Sequence, residues 1–490
     1  MRYSPVSCVT NTTAPPWTRS IADVLVTVMT LSPVSAATPM DGLKRLVVAS
    51  DALRRGAVLA GVLLIVPAVA TPQNTGRISG RVSVHTDAAQ RDVEGLGPQW
   101  ESMVTTAATF ETTEGENAAN GLEIGLDVRQ SRWLTGAHPD RLSLYTGFVG
   151  TRVGGETGVR VRAGHMWLPD LGTIGNVAGG LVEIAQRPSS TKTRVRVGGF
   201  MGLEPKSLDV GYAPDVRKGG VYAAVQRGYL QRHVIGYTRV QQGSMTERSV
   251  LSTTNFLPMG RAVNVYQAAE YEVRGPAQDT AQRGLSYFLA NVRVSPASRL
   301  EVLGTYNRGR ALDARQLTAD LLTGRSLTQQ AVEGLTYESA GGRVTVQPVR
   351  GVHVYASYAR DRNNRDDAPT GRVTFGGQAG DVMRTGVDAA FSDARIDQST
   401  GAYHSRYVSV GRGIGRAAYA SVDYSTSLSV IRFERLDGII IESRPRTHRW
   451  SGSTSINVGR TVSLLLTLDR TTDDTVRDLR VLTGLSYRIR

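Results

Sequence analysis

The stretch Leu479 to Arg490 lays out as one amphipathic strand. Leu479, Val481, Thr483, Leu485, Tyr487 and Ile489 fall on one face, and Arg480, Leu482, Gly484, Ser486, Arg488 and Arg490 on the other. Side chains alternate along a strand, so this segment makes an apolar wall backed by a basic, small-residue surface. The pattern recurs. Leu122, Ile124, Leu126 and Val128 oppose Glu123, Gly125, Asp127 and Arg129; Val159 and Val161 oppose Arg160 and Arg162; Val195 and Val197 oppose Arg194 and Arg196. Val462, Leu464, Leu466 and Leu468 oppose Ser463, Thr467 and Asp469. A slip of one residue would put the charged set on the apolar side, so register is strongly specified. A long series of strands with one apolar and one polar face predicts a closed transmembrane sheet.

Composition narrows the choice further. No uncharged apolar run reaches the roughly 20 residues a membrane helix needs, and mean hydropathy is −0.19. A barrel tolerates that value because only alternate residues face lipid. The formal charge is +14, and the basic residues are nearly all Arg, with Lys at Lys44, Lys192, Lys206 and Lys218. Such a balance suits lipopolysaccharide or anionic solutes, and a GC-rich codon bias produces it equally well. Aromatics are only 6% of the chain, with no evident stacking platform, which argues against nucleic acid.

The longest apolar run, Gly56 to Ala70, follows Arg54 and Arg55 and ends Ala68-Val69-Ala70. A charged segment, an apolar core and small residues at −3 and −1 predict a signal peptide cleaved after Ala70, with Ala68 and Ala70 as the recognised pair. Residues 1–70 are then an upstream extension plus leader, with translation starting near Met40 or later, and 71–490 the exported barrel. The single cysteine, Cys8, falls in the upstream part, so the exported chain has none, as suits an oxidising compartment.

In the C-terminal half, short and long connections alternate. Val349 to Gly351, Gly376 to Asp381, Gly411 to Gly415 and Val458 to Arg460 read as short; Arg360 to Thr370, Asp393 to Gly401 and Arg470 to Arg477 read as long. Barrels of the outer membrane have tight periplasmic turns and longer external loops, so the last strand runs toward the periplasm. The predicted fold is an all-β, antiparallel up-and-down transmembrane barrel of about 18–22 strands. Both termini on one side demands an even number.

Two connections are irregular. Arg310 to Leu335 has helical spacing at Leu317 and Leu321, a break at Gly324, and Ser326 as cap with Gln329 three residues on. This helical insert near 310–335 is either a constriction over the pore or a decoration of the rim. Leu168 to Gly180 carries a Gly-rich tract able to turn inward. Tyr145, Tyr287, Tyr355, Tyr419 and Trp450 are candidates for interfacial girdles.

From these residues the chain resembles Gram-negative outer-membrane β-barrel proteins of the porin type, over roughly Thr71 to Arg490. Gly484-Leu485-Ser486-Tyr487-Arg488-Ile489 looks like the C-terminal signal of such barrels, with Gly484, Tyr487 and Ile489 at its key positions. Leu482 and the terminal Arg490 depart from that signal. The resemblance implies assembly by the barrel-assembly machinery, residence among outer-membrane lipid and lipopolysaccharide, and passage of small solutes. Oligomers are compatible with it, and nothing in the chain demands them.

No catalytic or cofactor motif is present. The histidines are scattered singly without HExxH, no G-x-S-x-G elbow occurs, and Gly411 to Gly415 lies between two strands with no helix after it. Neither metal nor cofactor is expected, and no enzymatic step. The constellation that stands out is basic. Arg160, Arg162, Arg194, Arg196, Arg343, Arg480 and Arg488 share the polar strand face, the lumen side in a barrel, and rings of Arg favour anions. Glu123, Asp127, Glu301, Asp423 and Asp469 share that face, so a salt-bridged lattice is the competing outcome. The sequence therefore predicts a porin-like channel for passive diffusion of small hydrophilic solutes, with anion preference a secondary expectation. The alternative is a closed surface barrel with an adhesive or structural role.

Overall fold

The computed structural model describes residues 77–489, except 114–120, 136–137, 169–170, 173–174, 187–192, 207–210, 229–230, 276–282, 312–319, 321–333, 367, 399 and 435–439. The strands are β1 (Arg77–Val93), β2 (Gly97–Thr113), β3 (Gly121–Trp133), β4 (Arg141–Gly154), β5 (Thr157–Trp167), β6 (Asn176–Gln186), β7 (Thr193–Pro205) and β8 (Tyr212–Arg227). Next come β9 (Gln231–Gln242), β10 (Met245–Met259), β11 (Val263–Arg274), β12 (Gly284–Ala297), β13 (Leu300–Ala311), β14 (Leu335–Val346), β15 (Val352–Asn363) and β16 (Thr370–Ala379). The remainder are β17 (Val387–Gln398), β18 (Gly401–Ile414), β19 (Ala418–Glu434), β20 (Ile440–Ser443), β21 (Arg446–Val458), β22 (Val462–Thr472) and β23 (Val476–Ile489).

Neighbours in sequence pair antiparallel, and β1 closes on β23 from Gly80↔Ile489 to Val93↔Val476. Both β20 and β21 pair with β19, at its two ends, and together make one wall strand interrupted at Arg444 and Pro445. Proline has no N–H to give the ladder, yet its carbonyl still accepts from Ser429 N at 3.1 Å. The barrel thus has 22 strands, an even number at the top of the expected range, and the chain enters and leaves at one end.

Closure leaves no unpaired edge, which is what a sheet in hydrocarbon requires. The apolar rows form the exposed outer wall: Val149 is 57% exposed, Ile184 54%, Val422 56% and Leu466 51%. Among the described residues no helix is long and apolar enough to span a membrane.

Three expectations need correcting. The segment expected as a long loop at Asp393 to Gly401 is mostly strand, because β17 continues to Gln398 and β18 begins at Gly401. Likewise β15 runs to Asn363 and β22 to Thr472, shortening the loops expected there. β1 and β2 have 17 residues each, beyond the roughly 9–11 that span the bilayer. Strands that project past the lipid carry polar residues on both faces, which look like loop in sequence. The ends of the expected helical insert, Arg310 and Leu335, are strand residues, and 312–333 apart from Asp320 lie outside the described residues. The leader with Ala68 and Ala70 also lies outside them.

Candidate functional site

Glu123 on β3 reaches past β4 to Arg160 on β5, with Arg160 Nε donating to Glu123 Oε1 at 2.9 Å. Gly150, the register partner of both Glu123 and Arg162, leaves the path across β4 open, and Glu123, Arg160 and Glu183 are all buried on this face while the apolar face is exposed. The polar face is therefore inside. Arg162 Nε donates to the other oxygen, Glu123 Oε2, at 2.6 Å. Arg160 Nη1 also donates to Glu183 Oε1 at 2.9 Å, and Arg196 Nη1 approaches Glu183 Oε2 at 3.4 Å. Tyr222 OH, two strands from Glu183, donates to Glu183 Oε2 at 2.6 Å.

The sequence builds this lattice through spacing and register. Arg160 and Arg162, like Arg194 and Arg196, are two residues apart and share a face. Arg160 is paired with Glu183 across β5 and β6. Gly198 leaves the room that the Tyr222 ring occupies, 2.6 Å from where a Cβ would stand. The guanidinium groups of Arg160, Arg162 and Arg196 thus share two carboxylates, with Arg194 beside them on the same face. Arg194 is the surplus one: it is 9% exposed, and its Nε and Nη2 have no hydrogen-bond partner among the described residues. Buried ion pairs roughly break even against their desolvation, so what the lattice adds to the barrel is position and excess positive charge.

Toward the opposite mouth, the β5–β6 connection folds inward. Leu168 N donates to Gly175 O at 2.7 Å, which prolongs the hairpin, and Leu171 N donates to Leu168 O at 3.0 Å. Leu168 and Leu171 pack with Met166, Val177, Leu181, Phe200 and Tyr222, and Leu171 has no exposed surface. A methyl of Leu171 occupies the side-chain space of Gly236 on β9. Gly172, at φ +63°, brings its backbone close to β11, with Glu270 Oε1 2.9 Å from where a Cβ would stand. Glycine adopts that φ without strain. A second ion-pair group lies there: Arg248 Nε donates to Glu272 Oε1 at 2.8 Å, and Arg310 approaches Glu272 Oε2 at 3.7 Å.

The remaining wall carries smaller pairs. Arg480 Nε donates to Asp87 Oδ1 at 2.7 Å across the closing seam. Arg449 bonds Asp469 at 3.1 Å, Tyr407 OH bonds Asp423 at 2.8 Å, and Arg372 pairs with Asp361. The Arg343 guanidinium lies 3.8 Å from the Tyr355 ring centroid, a cation–π contact.

Of the arginines singled out in sequence, Arg160, Arg162, Arg194 and Arg196 come together in one lattice. Arg343 and Arg480 stand on other parts of the wall, and Arg488 is exposed beside its register partner Arg81 on β1. No continuous ladder joins all seven. Of the assembly-signal residues, Gly484 faces His85 across the seam, Tyr487 pairs with Val82 and Ile489 with Gly80. Trp450 is on the outer wall, whereas Tyr355 turns inward to Arg343. Sequence reasoning missed Glu183, Tyr222, Leu171 and Glu272; period-2 alternation put Glu183 on a polar face, but its partners depend on register between strands.

No protein-family model matches the chain. No curated protein matches it either. Solved structures with a similar fold include OccAB4 of Acinetobacter baumannii, at 9% identity and TM-score 0.41, covering 86% of this chain and 100% of that one. OpdQ of Pseudomonas aeruginosa gives 8% identity and TM-score 0.39 over 84% and 98%, and OccK8 (OprE) of Pseudomonas aeruginosa 7% and 0.38 over 86% and 100%. At these scores the neighbours carry no weight for the site.

Proposed function

We propose that this chain, a β-barrel of the outer-membrane porin type, is a passive channel for small hydrophilic solutes, with a preference for anions. The observation that carries the reading is the unequal lattice: Arg160, Arg162, Arg194 and Arg196 around Glu123 and Glu183. Fixed guanidinium groups lower the barrier for anions and raise it for cations. A barrel of this many strands encloses more space than side chains alone fill, and diffusion through it requires no covalent step or cofactor. Arg343, Arg480 and Arg488 would extend the basic surface along the pore. The inward connection at Leu168, Leu171 and Gly172 would narrow the path.

In this reading the chain is exported after cleavage at Ala70, inserted through recognition of Gly484, Tyr487 and Ile489, and resides among outer-membrane lipids. The test begins with heat-modifiability of the extracted barrel on a detergent gel, followed by planar-bilayer conductance under a KCl gradient. A reversal potential on the anion side supports the channel. A heat-modifiable barrel that conducts nothing supports the second reading, a closed surface barrel with adhesive or structural role. The apolar packing of Leu168 and Leu171 against the inner wall is the observation that favours that alternative.

A further inference from the structure

Register builds rows across the outer wall as well as the inner one. One outer row runs Val354, Gly377, Phe391, Val408, Tyr424, Trp450 and Arg470 across β15 to β22. The rings in this region meet one another: Phe375 and Phe391 at 6.3 Å, Tyr424 and Trp450 at 4.5 Å between centroids. Aromatic rows on a lipid-facing wall mark the interface between hydrocarbon and head groups. Below this row the wall is aliphatic, with Val410, Val422 and Leu468 exposed.

The next two rows toward the β17–β18 hairpin turn are basic. Asp393, Arg406, Thr426 and His448 form one, and Arg395, His404, Leu428 and Arg446 the other. Rows two residues apart stand roughly 7 Å from each other along the strand, so these groups lie at head-group depth. The patch holds one carboxylate: Asp393 is 2.9 Å from His404, 3.0 Å from Arg406 and 3.6 Å from Arg395. The Arg395 and Arg406 side chains remain 64% exposed. Arg446 and Arg470 have no ion pair among the described residues. Farther out, Asp397 lies beyond Arg395, and Glu442 is taken up by Arg432 and Arg444.

We propose that this outer-wall patch, Arg395, Arg406, Arg446 and Arg470 with His404 and His448, binds the phosphates of a phosphorylated glycolipid in the outer leaflet. The inference rests on the barrel residing in such a membrane, and not on the pore conducting. The guanidinium forks match phosphate oxygens in pairs, while the aliphatic and aromatic rows beneath accept acyl chains. Charge complementarity and continuity with the lipid-facing wall favour this occupant over a soluble protein, which would meet an apolar surface already covered by lipid.

The test uses the full exported barrel in detergent, with native mass spectrometry reading bound lipid. Bis-phosphorylated lipid A is titrated against its dephosphorylated form and against inorganic phosphate. The expected result is retention of lipid A alone, and a loss of affinity of about tenfold or more in R395Q/R406Q/R446Q/R470Q, tenfold being the worth of one of the charge-assisted contacts removed. That variant touches only the outer wall, so its heat-modifiability and conductance serve as the check that it folds. Equal binding of lipid A by the folded variant, or of the dephosphorylated form by the parent, overturns the proposal. Competition by inorganic phosphate at similar concentration would assign the patch to free anions instead and overturn it as well. A barrel that binds lipid A but never conducts leaves this inference standing and removes the channel.

Discussion

Leu171 fills the space that a side chain at Gly236 would need. The pair locks a connection from β5–β6 onto β9, across the inside of the barrel, so the shape of the lumen depends on a missing side chain three strands away. Gly236→Val is expected to evict the loop at about 1–3 kcal/mol of overpacking, raising single-channel conductance and exposing 168–175 to protease. Leu171→Ala should shift conductance the same way. Unchanged conductance in both variants would show that the loop does not narrow the path.

Glu183 is 2% exposed and accepts from Arg160, Arg196 and Tyr222. Glu183→Gln leaves guanidinium groups without their counter-charge, at about 3–5 kcal/mol. The temperature at which the folded gel band disappears should fall, and the reversal potential should move further toward anions. Arg194→Gln should move it the other way at smaller cost, because Nε and Nη2 give up no hydrogen bond. Parallel shifts in the two variants would refute the charge argument.

At the closing seam, a Cβ on Gly484 would stand 2.6 Å from His85 Nδ1 and 3.5 Å from Leu465 Cβ. Gly484→Val is therefore expected to lower the fraction of heat-modifiable barrel after refolding, and His85→Ala in the same chain to restore it. Failure of the rescue in cells, with success in detergent, would assign the defect to recognition of the terminal strand rather than to packing.

Asp473 caps the β22–β23 turn, its Oδ1 accepting from Thr475 N at 2.8 Å and Val476 N at 2.6 Å. Burial pushes its carboxyl up, but these N–H groups and the Thr475 hydroxyl outweigh that and hold it below the ordinary value. A folded-state pKa below the unfolded one means the contribution is present above about pH 4. It is lost as pH falls through the lowered value. Denaturant midpoints should separate the parent from Asp473→Asn at pH 6 and converge toward pH 2; a constant gap would contradict the linkage.

Much of the wall was legible because alternation is a local property. Val159, Arg160, Val161 and Arg162 declare two faces within four residues, whatever lies elsewhere in the chain. The Gly-rich tract after Leu168 likewise signalled a connection free to turn inward. The segment from Asp393 to Gly401 looks like a loop for the complementary reason: Asp393, Arg395 and Asp397 lie on the outer face past the hydrocarbon, at head-group depth and beyond, where charge is tolerated and the binary pattern fades. Between Gly202 and Ala223 the alternation is broken in the sequence itself, because a register shift between Leu203 and Glu204 changes its phase.

The sequence by itself determined that strands form, which face of each is apolar, and that an even-numbered closed sheet is the way to bury their backbone. Those follow from period 2 and from the cost of unpaired N–H and C=O groups in lipid. Only the tertiary structure decided that Arg160 would meet Glu123 across an intervening strand, that Arg194 Nε and Nη2 would have no hydrogen-bond partner among the described residues, and that Leu171 would find its socket at Gly236. Each of these depends on inter-strand register and on wall curvature, which converge side chains from distant parts of the chain on one concave surface.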